Sequence, residues 1–200
     1  MKAYSLDYRE KTIETLIIID GLTGIGKTTL QKKLVESFKL HRFVTTTTRE
    51  KRLYEKDGID YHFVPENNFI SDRKKYLFQD KIFDCWYGMS YDEYKLASLS
   101  KTPVVLVAAI TDIKKFQRLA EKIFVIKLKV REMDTFIQER KLISDRIHTR
   151  SNTIVTNEDY NNCSESFISI IVDGLDENEV FDKVVYRLKQ QDIICDIDVN

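Results

Sequence analysis

The sequence predicts an α/β fold, a central parallel sheet flanked by helices with an inserted, partly antiparallel lobe. Three observations carry this. Short apolar runs rich in β-branched residues at 16–20, 103–110, 123–128 and 167–172 read as strands buried on both faces. Stretches with helical apolar spacing alternate with them, the pattern of a parallel sheet with crossover helices. The segment 44–90 breaks that alternation: it is rich in aromatics and arginine, with short strand-like pieces at 61–64 and 83–87.

The elements follow in order. Leu16 to Asp20 form the first strand, bounded by Gly21, and 29–38 place Leu30, Leu34, Val35 and Phe38 on one helical face. The strand 103–110 opens at Pro103 and precedes a helix expected at 112–119. The strand 123–128 precedes a helical start at 132–142, and 167–172 precedes a helix at 177–188. Residues 191–200 alternate Ile and Asp, which fits either an edge strand or a frayed tail.

The 200 residues, 42% hydrophobic, suit a single domain. The 32 basic and 32 acidic residues cancel, which argues against a dedicated nucleic-acid surface. Cys85, Cys163 and Cys195 are widely spaced, and His41, His62 and His148 are scattered, so no zinc site or disulfide framework is expected. Residues 1–14 are polar and unlike a signal peptide, and no apolar run approaches the ~20 residues of a membrane span. The expectation is a cytoplasmic protein with small-molecule substrates, no nucleic-acid or membrane partner, and an open oligomeric state.

Gly21-Leu22-Thr23-Gly24-Ile25-Gly26-Lys27-Thr28 matches G-x-x-x-x-G-K-[ST], between a strand and a helix that continues through Thr29. The glycines allow positive φ and close backbone approach. Successive N–H groups at the helix start hold phosphate oxygens. Lys27 is placed to reach the β- and γ-phosphates of ATP, and the Thr28 hydroxyl to ligate Mg²⁺. The fold expected from this motif is that of the P-loop NTPases.

Val44-Thr45-Thr46-Thr47-Thr48-Arg49-Glu50-Lys51-Arg52, followed by Asp57-Gly58-Ile59-Asp60-Tyr61-His62-Phe63-Val64 and later by Tyr87-Gly88-Met89-Ser90, resembles the acceptor-binding segment of guanylate kinases. The resemblance is specific in the first ninety residues and weaker beyond. It implies a core at 1–43 and 91–200, an acceptor-binding lobe at 44–90, and transfer of the γ-phosphoryl group of ATP to a nucleoside monophosphate. It implies that Arg49 and Arg52 clamp the acceptor phosphate, that Tyr61 and Tyr87 donate to it, and that Thr45 stands near. Forked, permanently charged guanidinium groups suit a phosphate dianion.

Three positions depart from that family. An ungapped count from Tyr87 puts Phe78 where guanylate kinases carry a guanine-reading Glu, and Ala109 where they carry an Asp; Met89 takes the place of a hydroxyl residue. A shift of one or two residues would bring Gln79 or Asp80 to the Glu position. The expectation is therefore a retained phosphate grip with a replaced base reader. The strand at 104–110 also lacks the acidic residues of the family, and Asp112 fits either a water-mediated Mg²⁺ ligand or a helix N-cap.

The run 139–150 resembles the arginine-bearing lid of these kinases, placed at about 138–152, with Arg140, Arg146 and Arg150 implied to stabilise the moving phosphoryl group. Asp173 falls where the family places an adenine-contacting Asn, and a plain turn at Asp173-Gly174 explains it equally. Two other readings stay open: a non-catalytic guanylate-kinase-like binding module, and a kinase of another small phosphorylated acceptor.

Overall fold

The computed structural model describes residues 12–82, 84–108, 115–132, 135–136 and 166–195. The central sheet has the order β2-β7-β1-β8-β9 and is parallel throughout. Its strands are β1 (Ile13–Gly21), β2 (His41–Arg42), β7 (Val104–Val107), β8 (Ala120–Lys129) and β9 (Ser166–Ile171). β1 lies in the middle, with Ile18 opposite Leu106 on one side and Val125 on the other.

The period of two explains why four consecutive positions of this strand, Leu16 to Ile19, are apolar. Leu16 and Ile18 point to one face, among Tyr94, Leu119 and Val125. Ile17 and Ile19 point to the other, among Leu30, Leu34, Val184 and Leu188. All four strand residues are fully buried, each burial stabilising the fold by about 1.5–3 kcal/mol.

Helix α1 (Lys27–Phe38) covers the second face, together with α4 (Glu177–Gln190). α4 starts with a reciprocal cap, in which Asp176 accepts from the Glu179 backbone and Glu179 from the Asp176 N–H. Helix α3 (Tyr91–Ser98) covers the first face through Tyr94 and Ala97, and the Ser90 side chain caps it by accepting from the Glu93 N–H.

The lobe is a second sheet of order β4-β3-β6-β5: β3 (Thr46–Thr47), β4 (His62–Phe63), β5 (Tyr76–Ile82) and β6 (Cys85–Ser90). The β3–β6 and β5–β6 pairs are antiparallel, while β3 and β4 run parallel. The short helix α2 (Glu66–Ser71) packs the fully buried Phe69 onto this sheet, stacked on Tyr76 at 4.2 Å and Trp86 at 5.9 Å.

Of the helix expected at 112–119, the described residues show 3-10 helix at Lys115 and a turn at 116–119, closed by the Leu119 N–H donating to the Phe116 carbonyl at 2.9 Å. Their apolar spacing seats Phe116 and Leu119 in the core just before β8 begins at Ala120. Residues 191–193 turn after α4 and lead to the buried Ile194. The residues 112–114 and most of the expected helix at 132–142 lie outside the described residues, as do Cys163 and 196–200. Among the described residues, no helix is long and apolar enough to cross a membrane.

Candidate functional site

The phosphate loop leaves β1 at Gly21, whose φ is 148° and whose N–H donates to Asp20 Oδ1 at 2.7 Å. Gly24 (φ 80°) and Gly26 (φ 100°) hold the left-handed turns that bring the chain into α1. Gly26 is the N-cap and, as a glycine, brings no side-chain acceptor of its own to the first amides of the helix. Lys27 folds over the loop and donates to the carbonyls of Gly21 at 2.7 Å and Leu22 at 2.6 Å. Leu22, Thr23 and Ile25 shape the loop, with Ile25 buried beneath it, while Thr28 and Thr29 are exposed on the first helical turn.

Lys27 faces the lobe across a cleft. The cleft is lined by Lys27 and, from the lobe, by Thr45, Tyr61, Phe78, Asp80, Ile82, Tyr87 and Met89, with Leu106, Ala108 and Phe116 as its floor. The sequence motifs thus meet in space, although Lys27 and Tyr87 are distant in the chain.

Short-range contacts explain the acceptor motif. Asp57 accepts from the Phe63 N–H at 2.8 Å, and the Gly58 N–H donates to the Tyr61 carbonyl at 2.9 Å with φ 71° at Gly58. This turn delivers Tyr61 to the cleft, edge-on to Tyr87 at 6.2 Å. Thr47 donates to the Trp86 carbonyl and Thr48 accepts from the Trp86 N–H, which lock β3 against β6.

Arg49 lies with its guanidinium 5.4 Å from the Tyr61 ring centre and 5.7 Å from that of Phe63. It donates to Glu55 Oε1 at 2.7 Å. Burial alone would lower the Arg49 pKa, but Glu55 and the Tyr87 phenol outweigh it and hold the pKa above its usual value. Burial likewise works to raise the Glu55 pKa, and the bonds from Arg49 and the Arg52 N–H overcome it and lower the pKa. The Tyr61 phenol is pushed up by burial first and by Tyr87 second, so it stays protonated and able to donate.

The two arginines are not equivalent. Arg49 is 16% exposed, whereas Arg52 is 45% exposed and reaches Glu55 Oε1 only at 3.9 Å. Neither arginine lines the cleft itself: Arg49 stands behind it against the Tyr61 ring, and Arg52 lies further out beside Tyr54. Glu55 was not singled out from the sequence, although it sits three residues after Arg52 inside the same run. Its signal was a carboxylate placed to face two arginines.

Phe78 faces the cleft, but as an aromatic wall, 5.9 Å from Phe116. Met89 is buried beside it. Between Gln79 and Asp80, the register decides. Asp80 pairs with Tyr87 and Gln79 with Gly88, so the Asp80 side chain shares a face with Phe78, while Gln79, which also borders the cleft, directs its side chain to the other face of the strand. Asp80 Oδ1 accepts from Lys115 at 3.3 Å. Asp173 holds the Arg131 N–H with both oxygens, at 3.1 and 3.0 Å, which gives it a structural task at the end of β8. Ala109, Asp112, Arg140, Arg146 and Arg150 lie outside the described residues.

For Mg²⁺ the described residues offer no cluster of three or more acidic, His or Cys groups. A phosphate-borne Mg²⁺ needs only one or two protein ligands and keeps its waters. The exposed Thr28 hydroxyl beside Lys27 fits that role, and the first amides of α1 fit the phosphates.

A family model described as guanylate kinase matches residues 13–191. Among curated proteins, MAGUK p55 subfamily member 7 of Danio rerio is 31% identical over 153 residues, 72% of this chain but 26% of that protein. Guanylate kinase of Legionella pneumophila (strain Lens) is 41% identical over 78 residues, 38% of this chain and 37% of its own. That of Helicobacter hepaticus is 36% identical over 94 residues, 46% of either chain. The chain thus spans between a quarter and a half of the length of these relatives. The crystal structure of guanylate kinase from Anaplasma phagocytophilum superposes with a TM-score of 0.65 at 20% identity, over 90% of this chain and 87% of that one.

Proposed function

We propose that this chain, which belongs to the guanylate kinase family, transfers the γ-phosphoryl group of ATP to a nucleoside monophosphate other than GMP. The observation that carries the reading is the single cleft that Lys27 shares with Thr45, Tyr61 and Tyr87. Two anion-holding groups facing each other are what an in-line transfer between two phosphates requires.

In this mechanism the α1 amides and Lys27 hold the ATP phosphates. Lys27 exchanges its bonds to the Gly21 and Leu22 carbonyls for the β- and γ-phosphate oxygens. Thr28 would hold Mg²⁺, which when bound would supply charge neutralisation to the phosphates. Arg49, Tyr61 and Tyr87 grip the acceptor phosphate, with Arg52 at the rim. A phosphate oxygen of the acceptor attacks the γ-phosphorus, and the bond to the β–γ bridging oxygen breaks. Arg140, Arg146 and Arg150 supply the closing charge, and Asp173 remains available to the adenine amino group.

Phe78 in place of a carboxylate is the reason to exclude GMP. A guanine N–H buried against an aromatic wall goes unpaired, at a cost of about 1–3 kcal/mol, or one to two decades in kcat/KM. Coupled-assay turnover with ATP, Mg²⁺ and a panel of nucleoside and deoxynucleoside monophosphates tests this. Turnover of at least one acceptor, abolished by Lys27→Ala, is expected, with GMP a poor substrate. GMP as the best acceptor by a wide margin would falsify the base assignment. Tight nucleotide binding without any turnover would favour a non-catalytic module, a reading kept in view by the all-aliphatic β7 and the MAGUK relative.

A further inference from the structure

The geometry points to Asp80, paired with Lys115, as the group that reads the sugar hydroxyls of the acceptor, so that selection rests on the sugar rather than on a guanine edge. This rests on the acceptor reading above. Along β5 and β6 the cleft-facing residues come in cross-strand pairs. Asp80 lies opposite Tyr87 and Phe78 opposite Met89. Side chains so paired have Cβ atoms about 4.5–5.5 Å apart, and the next pair on the same face lies about 6.6–6.8 Å further along the strands.

The order along the cleft is therefore fixed. Asp80 stands level with Tyr87, beside the phosphate grip that Tyr87 forms with Tyr61 and the Arg49 behind it, and the apolar wall of Phe78, Met89 and Phe116 begins one pair further along. A nucleoside monophosphate has the same order of chemistry: phosphate, sugar, base. The carboxylate falls where phosphate gives way to sugar, one pair nearer the phosphate than the position at which the family resemblance places a base reader.

Consecutive residues of another segment support this wall. Lys115 bonds Asp80 at 3.3 Å, and Phe116 meets Phe78 at 5.9 Å. Lys115 offsets the charge that a bare carboxylate beside a phosphate grip would present. Both groups are partly exposed, Asp80 at 39% and Lys115 at 37%, so a ligand hydroxyl can reach them. A carboxylate accepts a sugar O–H and the ammonium donates to the same oxygen, while the base beyond meets only apolar surface. Choice among bases other than guanine should then be loose and sugar choice tight.

The test uses matched ribo-, 2′-deoxy- and 3′-deoxynucleoside monophosphates with wild-type protein, Asp80→Asn and Lys115→Gln, by steady-state turnover and by calorimetric binding. The wild type should prefer the ribonucleotide over at least one deoxy analogue by about tenfold or more, the scale of a charge-assisted hydrogen bond. Asp80→Asn should bring that ratio to within about twofold by raising KM for the ribonucleotide. Lys115→Gln should narrow it in the same direction. An unchanged ratio in Asp80→Asn, with turnover intact, overturns the inference and leaves the kinase reading standing. Binding with the expected sugar discrimination but no turnover keeps the inference and removes the kinase reading. Failure of every nucleotide to bind overturns both.

Discussion

Glu55 lies between two arginines, and its position sets how the acceptor site responds to mutation and to pH. It is 8% exposed and bonds Arg49 at 2.7 Å and the Arg52 N–H at 2.8 Å. Removing one partner of so buried a pair leaves the other charge uncompensated, at a cost of up to about 3–5 kcal/mol. Glu55→Gln keeps the shape and loses the charge, so it should raise the acceptor KM about tenfold while ATP binding changes little. Acceptor and ATP saturation curves check this, and equal effects on both would refute a local role. The sign with pH follows from the lowered Glu55 pKa. Its stabilisation is complete above the unfolded carboxylate value, about 4.3, and is lost as pH falls through the lower folded value. Acid unfolding followed below pH 4 should therefore be flatter in Glu55→Gln than in wild type. Gly21 is a second sensitive residue: a Cβ there would stand 2.7 Å from the Leu128 carbonyl oxygen, with φ at 148°. Gly21→Ala should cost about 1–3 kcal/mol, seen as a fall of several degrees in Tm and a weakened ATP site.

Strand β6 carries the acceptor phenol on one face and rests on a packed aromatic stack with the other. Gly88 makes that close approach possible, since an added Cβ would lie 2.6 Å from Tyr76 Cδ1 and 2.9 Å from Phe69 Cε2 and Cζ. Phe69 is fully buried and stacked 4.2 Å from Tyr76, so neither ring can yield cheaply. Gly88→Ala should push β6 outward, shift Tyr87 and Met89, and raise the acceptor KM about tenfold with ATP affinity unchanged. A wild-type acceptor KM in that variant would show that the stack has slack. The element scale also shows what the sequence made legible. β1 and the phosphate loop are read directly because their signals are local, an apolar run and a glycine spacing. The end of the helix expected at 112–119 is less legible: 116–119 turn so that Phe116 and Leu119 fill the core before β8. Counting to Phe78 found the right wall, but only the β5–β6 register separates Asp80 from Gln79. The arginine motif gave Arg49 and Arg52 equal weight, and only burial, set by residues from other strands, distinguishes them.

At the scale of the whole molecule, two polar clasps join the lobe to the core besides the Asp80–Lys115 pair. Arg42, at the end of β2 in the central sheet, bonds Asp60 Oδ1 at 3.1 Å, with both side chains under a fifth exposed. His62 on β4 bonds Glu93 on α3 at 2.9 Å. Asp60 and His62 bracket Tyr61, so the clasps fix the distance of the acceptor phenol from Lys27. Phosphoryl transfer loses rate steeply when the two phosphates are misplaced. Loosening a clasp should therefore act on the acceptor and on kcat together, while ATP binds as before. Asp60→Asn removes the charge of the better-buried pair, which stays sheltered from salt. Its expected effect is about 1–2 kcal/mol, near tenfold in kcat/KM for the acceptor at saturating ATP. A cycle with Arg42→Gln isolates the pair: the double variant should be little worse than either single one. If the two losses simply add, the lobe is held by its aromatic packing and the clasp carries no coupling.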